Sequence, residues 1–83
     1  MTSLIITIHA RHILEERRIE LAWVERVLFN PDQIEPHLSD ADLEHRFGAI
    51  AERNNRVLHI VVSKSHPQRL VTAYFDRARK GTP

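Results

Sequence analysis

The segment FGAIAERNNRVLHIVVS, residues 47–63, constrains the fold most strongly because two apolar runs flank a pair of asparagines. Asparagine tolerates the positive φ that a two-residue hairpin turn requires, so Asn54 and Asn55 predict the centre of a β-hairpin turn. The resulting register pairs Ala51 with Leu58, Ala49 with Ile60 and Phe47 with Val62. All of these side chains are apolar, which predicts that this face of the hairpin is buried.

A third strand is predicted where residues 70–76 return after the loop KSHPQ. Pairing Ser63 with Leu70 adds Val71, Ala73 and Phe75 to the buried face. The opposite face then carries Arg46, Gly48, Ile50 and Glu52, followed by Val57, His59, Val61 and Ser63, and by Leu70, Thr72, Tyr74 and Asp76. His59 is therefore predicted to lie directly opposite Tyr74, with Arg46 and Thr72 nearby.

The N-terminal half predicts a strand and two helices. Leu4–Ile8 is rich in β-branched residues, as a buried strand is. Helical spacing follows in two sets, Ala10, Ile13 and Leu14, then Leu21, Val24, Val27 and Leu28, and Asn30-Pro31 ends the second helix. Residues 33–38 predict an edge strand, because Pro36 cannot donate to a ladder, and residues 38–42 predict a loop. The expected architecture is a two-layer α+β domain, β-α-α-β-β-β(-β), over residues 1–80, with a flexible tail at 81–83.

Composition limits the class of protein. Apolar residues make up 42% and charged residues 28%, as in ordinary globular domains. The apolar runs are of strand length and no signal-peptide pattern is present, so we expect a cytoplasmic protein without a membrane partner. Residues 1–45 hold four arginines against nine acids, whereas residues 46–83 hold eight basic residues against two acids. The C-terminal half either faces a polyanion or carries charges distributed for solubility.

Three segments together carry a family resemblance: HARHILEERRIELAWVERVLFNPDQI, RFGAIAERNNRVLHIVVS and LVTAYFDRARK. They resemble small uncharacterised bacterial domains allied to the RelE/ParE/BrnT toxin superfamily, over about Ile5 to Arg79. The matching positions are His9-Ala10, Arg17, Ile19, Val24, Pro31, Arg46 and Thr72-Ala73-Tyr74, while Arg18 stands where relatives often have a glycine. The resemblance implies a RelE/ParE-like fold and either mRNA cleavage or gyrase poisoning, neutralised by a partner antitoxin.

The functional hypothesis is a toxin-like component of a toxin–antitoxin system, acting as a metal-independent endoribonuclease on mRNA without a cofactor. Cleavage requires a group to deprotonate the ribose 2′-OH, a cation for the phosphate and an acid for the leaving oxygen. His59 is the candidate base or acid, Arg46 the phosphate clamp, Tyr74 a stacking or proton-donating group, and His9 a further catalytic candidate. Arg69, Arg77, Arg79 and Lys80 are the candidates for binding the RNA backbone. In the alternative interpretation, His59 and Tyr74 form a cross-strand pair and Arg46 pairs with a loop acid.

Two other classes of function remain open. The fold is compatible with a non-catalytic protein-interaction domain, with an antitoxin or a second copy of the chain as partner. His9 and His12 lie one helical turn apart, which allows a metal-binding regulator with His37, His45 or His66 as third ligand. The absence of cysteine excludes disulfides and thiolate metal sites, and His9 is alternatively a residue of the strand-to-helix junction. Arg17 is expected to pack across the helix pair or to bind phosphate, and Trp23 to lie at the core edge or in an interface.

Overall fold

A computed structural model describes the backbone of residues 4–80 and the side chains of residues 4–77. The predicted tail at 81–83 and the side chains of Arg79 and Lys80 lie outside the described residues. The elements are β1 (Leu4–Ile6), α1 (Ile8–Glu16), α2 (Leu21–Phe29), β2 (Gln33–Pro36), β3 (Leu43–Ile50), a 3₁₀ turn (Ala51–Arg53), β4 (Arg56–Ser63) and β5 (Gln68–Lys80). Both helices pack on one face of a five-stranded sheet of order β1-β5-β4-β3-β2, in which only β1 and β5 are parallel. The predicted α+β class is confirmed.

The first helix begins and ends with recognisable caps. The Thr7 hydroxyl accepts a hydrogen bond of 3.0 Å from the Ala10 N–H, so the predicted strand stops at Ile6 and the helix starts at Ile8. At the C-terminal end, the N–H of Ile19 donates to the Leu14 carbonyl and that of Arg18 to the Glu15 carbonyl. These bonds form a Schellman motif with Arg18 in the left-handed position, at φ 54°. Arg18 therefore occupies a conformation that glycine favours.

The core lies between the helices and the sheet. Ala10 and Leu14 from α1 and Val24 and Val27 from α2 pack on one face of the strands. The strands contribute Ile50, Leu58, Ile60, Val62, Leu70 and Ala73 to the same cluster. We call this side of the sheet the covered face, and the side without helices the open face. Neither helix of the described part has the length and apolar character needed to cross a membrane.

The register predicted for the first hairpin is wrong by three residues. Phe47 pairs with His59 rather than Val62, and Ile50 pairs with Arg56 to close the connection. The turn is longer than two residues because the 3₁₀ turn precedes Asn54 and Asn55, both of which have the predicted positive φ. A shift by an odd number of residues turns every β3 side chain to the other face. Arg46, Gly48 and Ile50 therefore lie on the covered face, and Phe47 lies on the open face.

The second hairpin confirms one prediction and corrects another. His59 lies opposite Tyr74, as predicted, and Ile60 lies opposite Ala73. A bulge between Val61 and Val62 then pairs Val62 with Leu70, so that Val71 has no direct partner on β4. Leu70 consequently lies in the core and Val71 is exposed, the reverse of the predicted arrangement.

The predicted edge strand is present at β2. Gln33 pairs with Phe47 and Pro36 with Glu44, antiparallel to β3. β2 has no other neighbour in the described sheet, so the missing N–H of Pro36 does not remove a hydrogen bond from the interior of the sheet.

Candidate functional site

The open face carries a row of aromatic rings across three strands. Strand alternation places Phe47 of β3, His59 of β4 and Tyr74 of β5 side by side. The His59 ring centroid lies 4.2 Å from that of Phe47 and 4.6 Å from that of Tyr74. His59 is only 6% exposed although no helix covers it, because neighbouring rings on the same face bury it. This burial prevents His59 itself from contacting a polymer substrate.

A second histidine connects the row to solvent. His45 lies on β3 two residues before Phe47, and its Nδ1 is 2.6 Å from His59 Nε2. Two ring nitrogens at this distance form a hydrogen bond, in which one ring donates its N–H and the other accepts. His45 is half-buried, whereas His59 is fully buried, so a reactant on the open face reaches His45 first.

An aspartate on β5 lies on the inner side of His59. The Asp76 carboxylate oxygen lies 3.9 Å from His59 Nδ1, and the two side chains are 19% and 8% exposed. A proton on His59 Nδ1, the nitrogen nearer to this negative charge, would leave His59 Nε2 to accept from His45 Nδ1. In that tautomer, His45 Nε2 carries the lone pair. We call Asp76, His59 and His45 the histidine relay, an arrangement that lets the outer imidazole act as a base.

A third histidine stacks on the outer end of the relay. The His37 and His45 ring centroids are 5.2 Å apart and their planes differ by 3°. The Nδ1 of His37 accepts hydrogen bonds from the N–H groups of Ser39 and Asp40, at 3.2 and 3.1 Å. A neutral His37 therefore has its proton on Nε2, so it presents a donor beside the acceptor of His45.

An arginine lies at the other end of the aromatic row. The Nη1 of Arg17 donates to the Ala73 carbonyl at 2.9 Å, and its guanidinium carbon is 6.0 Å from the Tyr74 ring centroid. Arg17 thus binds a strand carbonyl, and it brings positive charge to the rim of the open face. Its side chain is exposed, and its hydrogen bond runs from the end of the first helix to β5 instead of across the helix pair.

Arg46 is not part of this arrangement. Its Nη1 donates to the Leu28 carbonyl at the end of α2, and its Nε donates to the Glu44 carboxylate. The predicted position beside His59 and Tyr74 is wrong, because the register shift turns Arg46 beneath the second helix. Its partner is an acid on its own strand, and the pair ties α2 to β3.

The remaining candidates are dispersed. His9 and His12 are exposed on α1, on the covered side of the sheet, and no described hydrogen bond or ring contact joins them to the relay. Arg69 and Arg77 are exposed on β5. Within the residues that the structure describes, no group of three His, Cys, Asp or Glu side chains is placed to hold a metal ion.

The sequence interpretation missed His37 and His45 as members of the site. The two-residue turn assumed for Asn54-Asn55 placed His45 on the covered face. Gly48 offered a signal against that register, because a Cβ built there would lie 3.0 Å from a Val27 methyl. The smallest residue of the strand fits beneath a helix better than on an open face.

A cleft of about 540 Å³ lies on the helix side of the sheet. Its lining combines apolar residues with arginines and glutamates: Ile6, Leu14, Ile19, Leu21 and Trp23, then Arg11, Arg18 and Arg53, then Glu15 and Glu20. Trp23 is 6% exposed and packs edge-on against Phe75, as a residue at the core edge does. The sequence did not predict this cleft, because its walls come from β1, both helices and the β3–β4 turn.

A solvent-exposed ion pair fixes that turn to the second helix. Both guanidinium Nη atoms of Arg26 donate to the Glu52 carboxylate, at 2.8 and 2.9 Å. The hydrogen bonds from Arg26 lower the pKa of Glu52 to about 2 and raise the pKa of Arg26.

The chain was compared with known families, curated proteins and solved structures. The family model described as "Domain of unknown function (DUF4258)" matches residues 6–75. No curated protein and no solved structure matches the chain. The matched segment runs from the end of β1 to Phe75 in β5 and so includes both helices and most of the sheet. The chain therefore belongs to the DUF4258 family of small uncharacterised domains.

Proposed function

We propose that this domain is a toxin-like endoribonuclease, related to the RelE/ParE superfamily, that cleaves RNA by general acid–base chemistry on the open face. The observation that carries the proposal is the histidine relay. It joins a solvent-facing imidazole to a buried imidazole through a 2.6 Å contact, with a carboxylate on the inner side. A carboxylate beside an imidazole orients and stabilises a general base in other hydrolytic sites.

The relay supplies both proton transfers of a transesterification. His45 Nε2 removes the proton from a ribose 2′-OH, and the 2′-oxygen attacks the adjacent phosphorus. The His45 imidazolium, stabilised by His59 and Asp76, then returns the proton to the departing 5′-oxygen. The products are a 2′,3′-cyclic phosphate and a 5′-OH end, so no water or cofactor is consumed in this step.

Other residues of the face support binding of the substrate. His37 Nε2–H is available as a hydrogen-bond donor to a phosphate oxygen beside His45. Tyr74 is 37% exposed and offers a ring on which an unpaired base can stack, and the Arg17 guanidinium lies beside it. Arg69 and Arg77, with the Arg79 and Lys80 of the sequence, add positive charge along β5.

The resemblance to the RelE/ParE/BrnT group supports the biological context. It favours a bacterial toxin–antitoxin pair, in which mRNA is the target and a partner antitoxin neutralises the domain. The relay adds specific chemistry to the resemblance, because two of the matched candidates, His9 and Arg46, do not reach the open face.

The test is cleavage of a single-stranded RNA oligonucleotide by the purified chain, with mass analysis of the product ends. We expect 2′,3′-cyclic phosphate ends, and a rate reduced by about 10²–10⁴-fold in His45→Ala, since that variant removes the base. His12→Ala is the matched control, because His12 is an exposed histidine on α1. Intact RNA, together with normal growth of cells at high expression, would refute the enzymatic proposal.

A non-catalytic interaction domain is the second candidate, and the edge of β5 favours it. β1 pairs only with Gln68–Leu70, so in the described sheet no strand lies on that side of β5 from Val71 onward. Such an edge accepts a strand from a partner protein. If this is the function, the unaltered chain leaves RNA intact. The His45→Ala variant then still co-purifies with the protein encoded by the adjacent gene.

A further inference from the structure

The cleft on the helix side has the composition of an anion site with an apolar floor. Leu14, Ile19 and Trp23 form its inner wall and are buried, while Ile6 and Leu21 extend the apolar surface outward. Its volume of about 540 Å³ falls within the range of small-molecule sites. None of these residues belongs to the open face, so the cleft is separate from the relay.

Three arginines line this apolar floor without carboxylate partners. Arg11, Arg18 and Arg53 form no ion pair with any residue that the structure describes. Two other arginines near the helices have carboxylate partners, Arg26 with Glu52 and Arg46 with Glu44. Three unpaired cations around apolar surface complement a ligand with an anionic head and an apolar body.

Two of these arginines are held in place by unusual local structure. The Arg53 guanidinium carbon lies 5.7 Å from the Trp23 ring centroid and 5.3 Å from that of Phe75, so aromatic rings fix the cation. Arg18 has a φ of 54° at the end of α1, where glycine would carry no steric cost. A charged residue at this position projects from the turn that forms one wall of the cleft.

We propose that the cleft binds a small amphipathic anion, an apolar chain that carries one carboxylate or phosphate group. The apolar chain of the ligand lies on four aliphatic residues, Ile6, Leu14, Ile19 and Leu21, and its anionic group binds the guanidinium groups. The lining also contains Glu15 and Glu20. Three arginines against two glutamates leave a net positive charge, which favours an anionic ligand.

The chain contains its own reporter for this site. Trp23 is the only tryptophan of the sequence and lines the cleft, so a change in tryptophan fluorescence reports binding of a ligand in the cleft. The probes are octanoate and octyl phosphate, which carry both features, together with octanol, which lacks the charge, and acetate, which lacks the chain. We expect a saturable change with octanoate or octyl phosphate at millimolar concentration or below, and at least about tenfold weaker binding of octanol and acetate. Whichever head group binds more tightly identifies the chemical class.

Arg18→Gly separates a role in binding from a role in folding. Glycine suits the left-handed position, so we expect an unchanged or higher Tm together with binding about tenfold weaker. Arg11→Gln should weaken binding without a change in Tm, and Arg69→Gln, an exposed arginine of β5 outside the cleft, should leave it unaltered. Octanol binding as tightly as octanoate, no saturable change with either anionic probe, or full binding by Arg18→Gly would overturn the proposal. Because RNA cleavage uses the other face, its outcome does not affect this test.

Discussion

The two faces of the same sheet differ in what their side chains do. On the covered face, Ile50, Leu58 and Ile60 are fully buried against the helices. On the open face, alternate residues of the same strands bring together His45, Phe47, His59 and Tyr74, which bury one another through ring contacts. Strand alternation thus places the apolar core and the histidine relay on opposite faces, so we expect a substitution on one face to have little effect on the other.

The largest difference in stability is expected between Ile60→Ala and Thr72→Ala. Ile60 is fully buried on the covered face, so its truncation leaves a cavity and should lower the free energy of unfolding by about 2–5 kcal/mol. Thr72 lies on the open face and is partly exposed, so we expect a change of about 0.5 kcal/mol. Urea denaturation of both variants measures the contrast, and equal losses would contradict the separation of the faces.

Arg46→Leu tests the ion pair between Arg46 and Glu44, which lies beneath the second helix. The substitution leaves the Leu28 carbonyl and the Glu44 carboxylate without their donor, and we expect a loss of about 1–3 kcal/mol in the free energy of unfolding. RNA cleavage at a temperature where the variant is folded should be unaffected. A loss of cleavage without a loss of stability would instead return Arg46 to the functional site.

Asp76→Asn should show the opposite behaviour. The amide is close in shape to the carboxylate but carries no negative charge to hold a proton on His59 Nδ1. We expect the free energy of unfolding to change by less than about 1 kcal/mol, whereas the cleavage rate falls by about tenfold or more. Denaturation and the oligonucleotide assay on the same preparation give both values, and unchanged cleavage would remove Asp76 from the relay.

Glu52→Gln is expected to have the smallest effect and sharpens the contrast between buried and exposed charge. The pKa of Glu52 is lowered from 4.5 to about 2 by Arg26, so the ion pair stabilises the fold above pH 4.5 and this contribution is lost as the pH falls toward 2. The stability of the variant should therefore be slightly lower at neutral pH and should converge with that of the unaltered chain at pH 2. Added salt should reduce the difference, because both side chains are about half exposed. A difference that persists at pH 2 would show that another contact of Glu52 is responsible.

Local sequence rules predicted most of the elements and one important pairing. Residues close along the chain determine the end of the second helix at Asn30, the positive φ of Asn54 and Asn55, and the pairing of His59 with Tyr74. Thus β4 and β5 could be placed against each other in advance. Their register differs from the prediction at the two ends of the ladder, beyond the bulge near Val71 and at Arg56, which pairs with Lys80.

The sequence by itself determined that this chain forms two amphipathic helices and a β-rich half with His59 beside Tyr74. Only the tertiary structure decided which face of β3 meets the helices, because a short 3₁₀ turn changed the register by an odd number of residues. That choice removed Arg46 from the open face and brought His45 to it, where it contacts His59. The cleft was decided in the same way, because Arg53 comes from a segment far from Arg11 and Arg18 in sequence and lines the same cleft only in the folded chain.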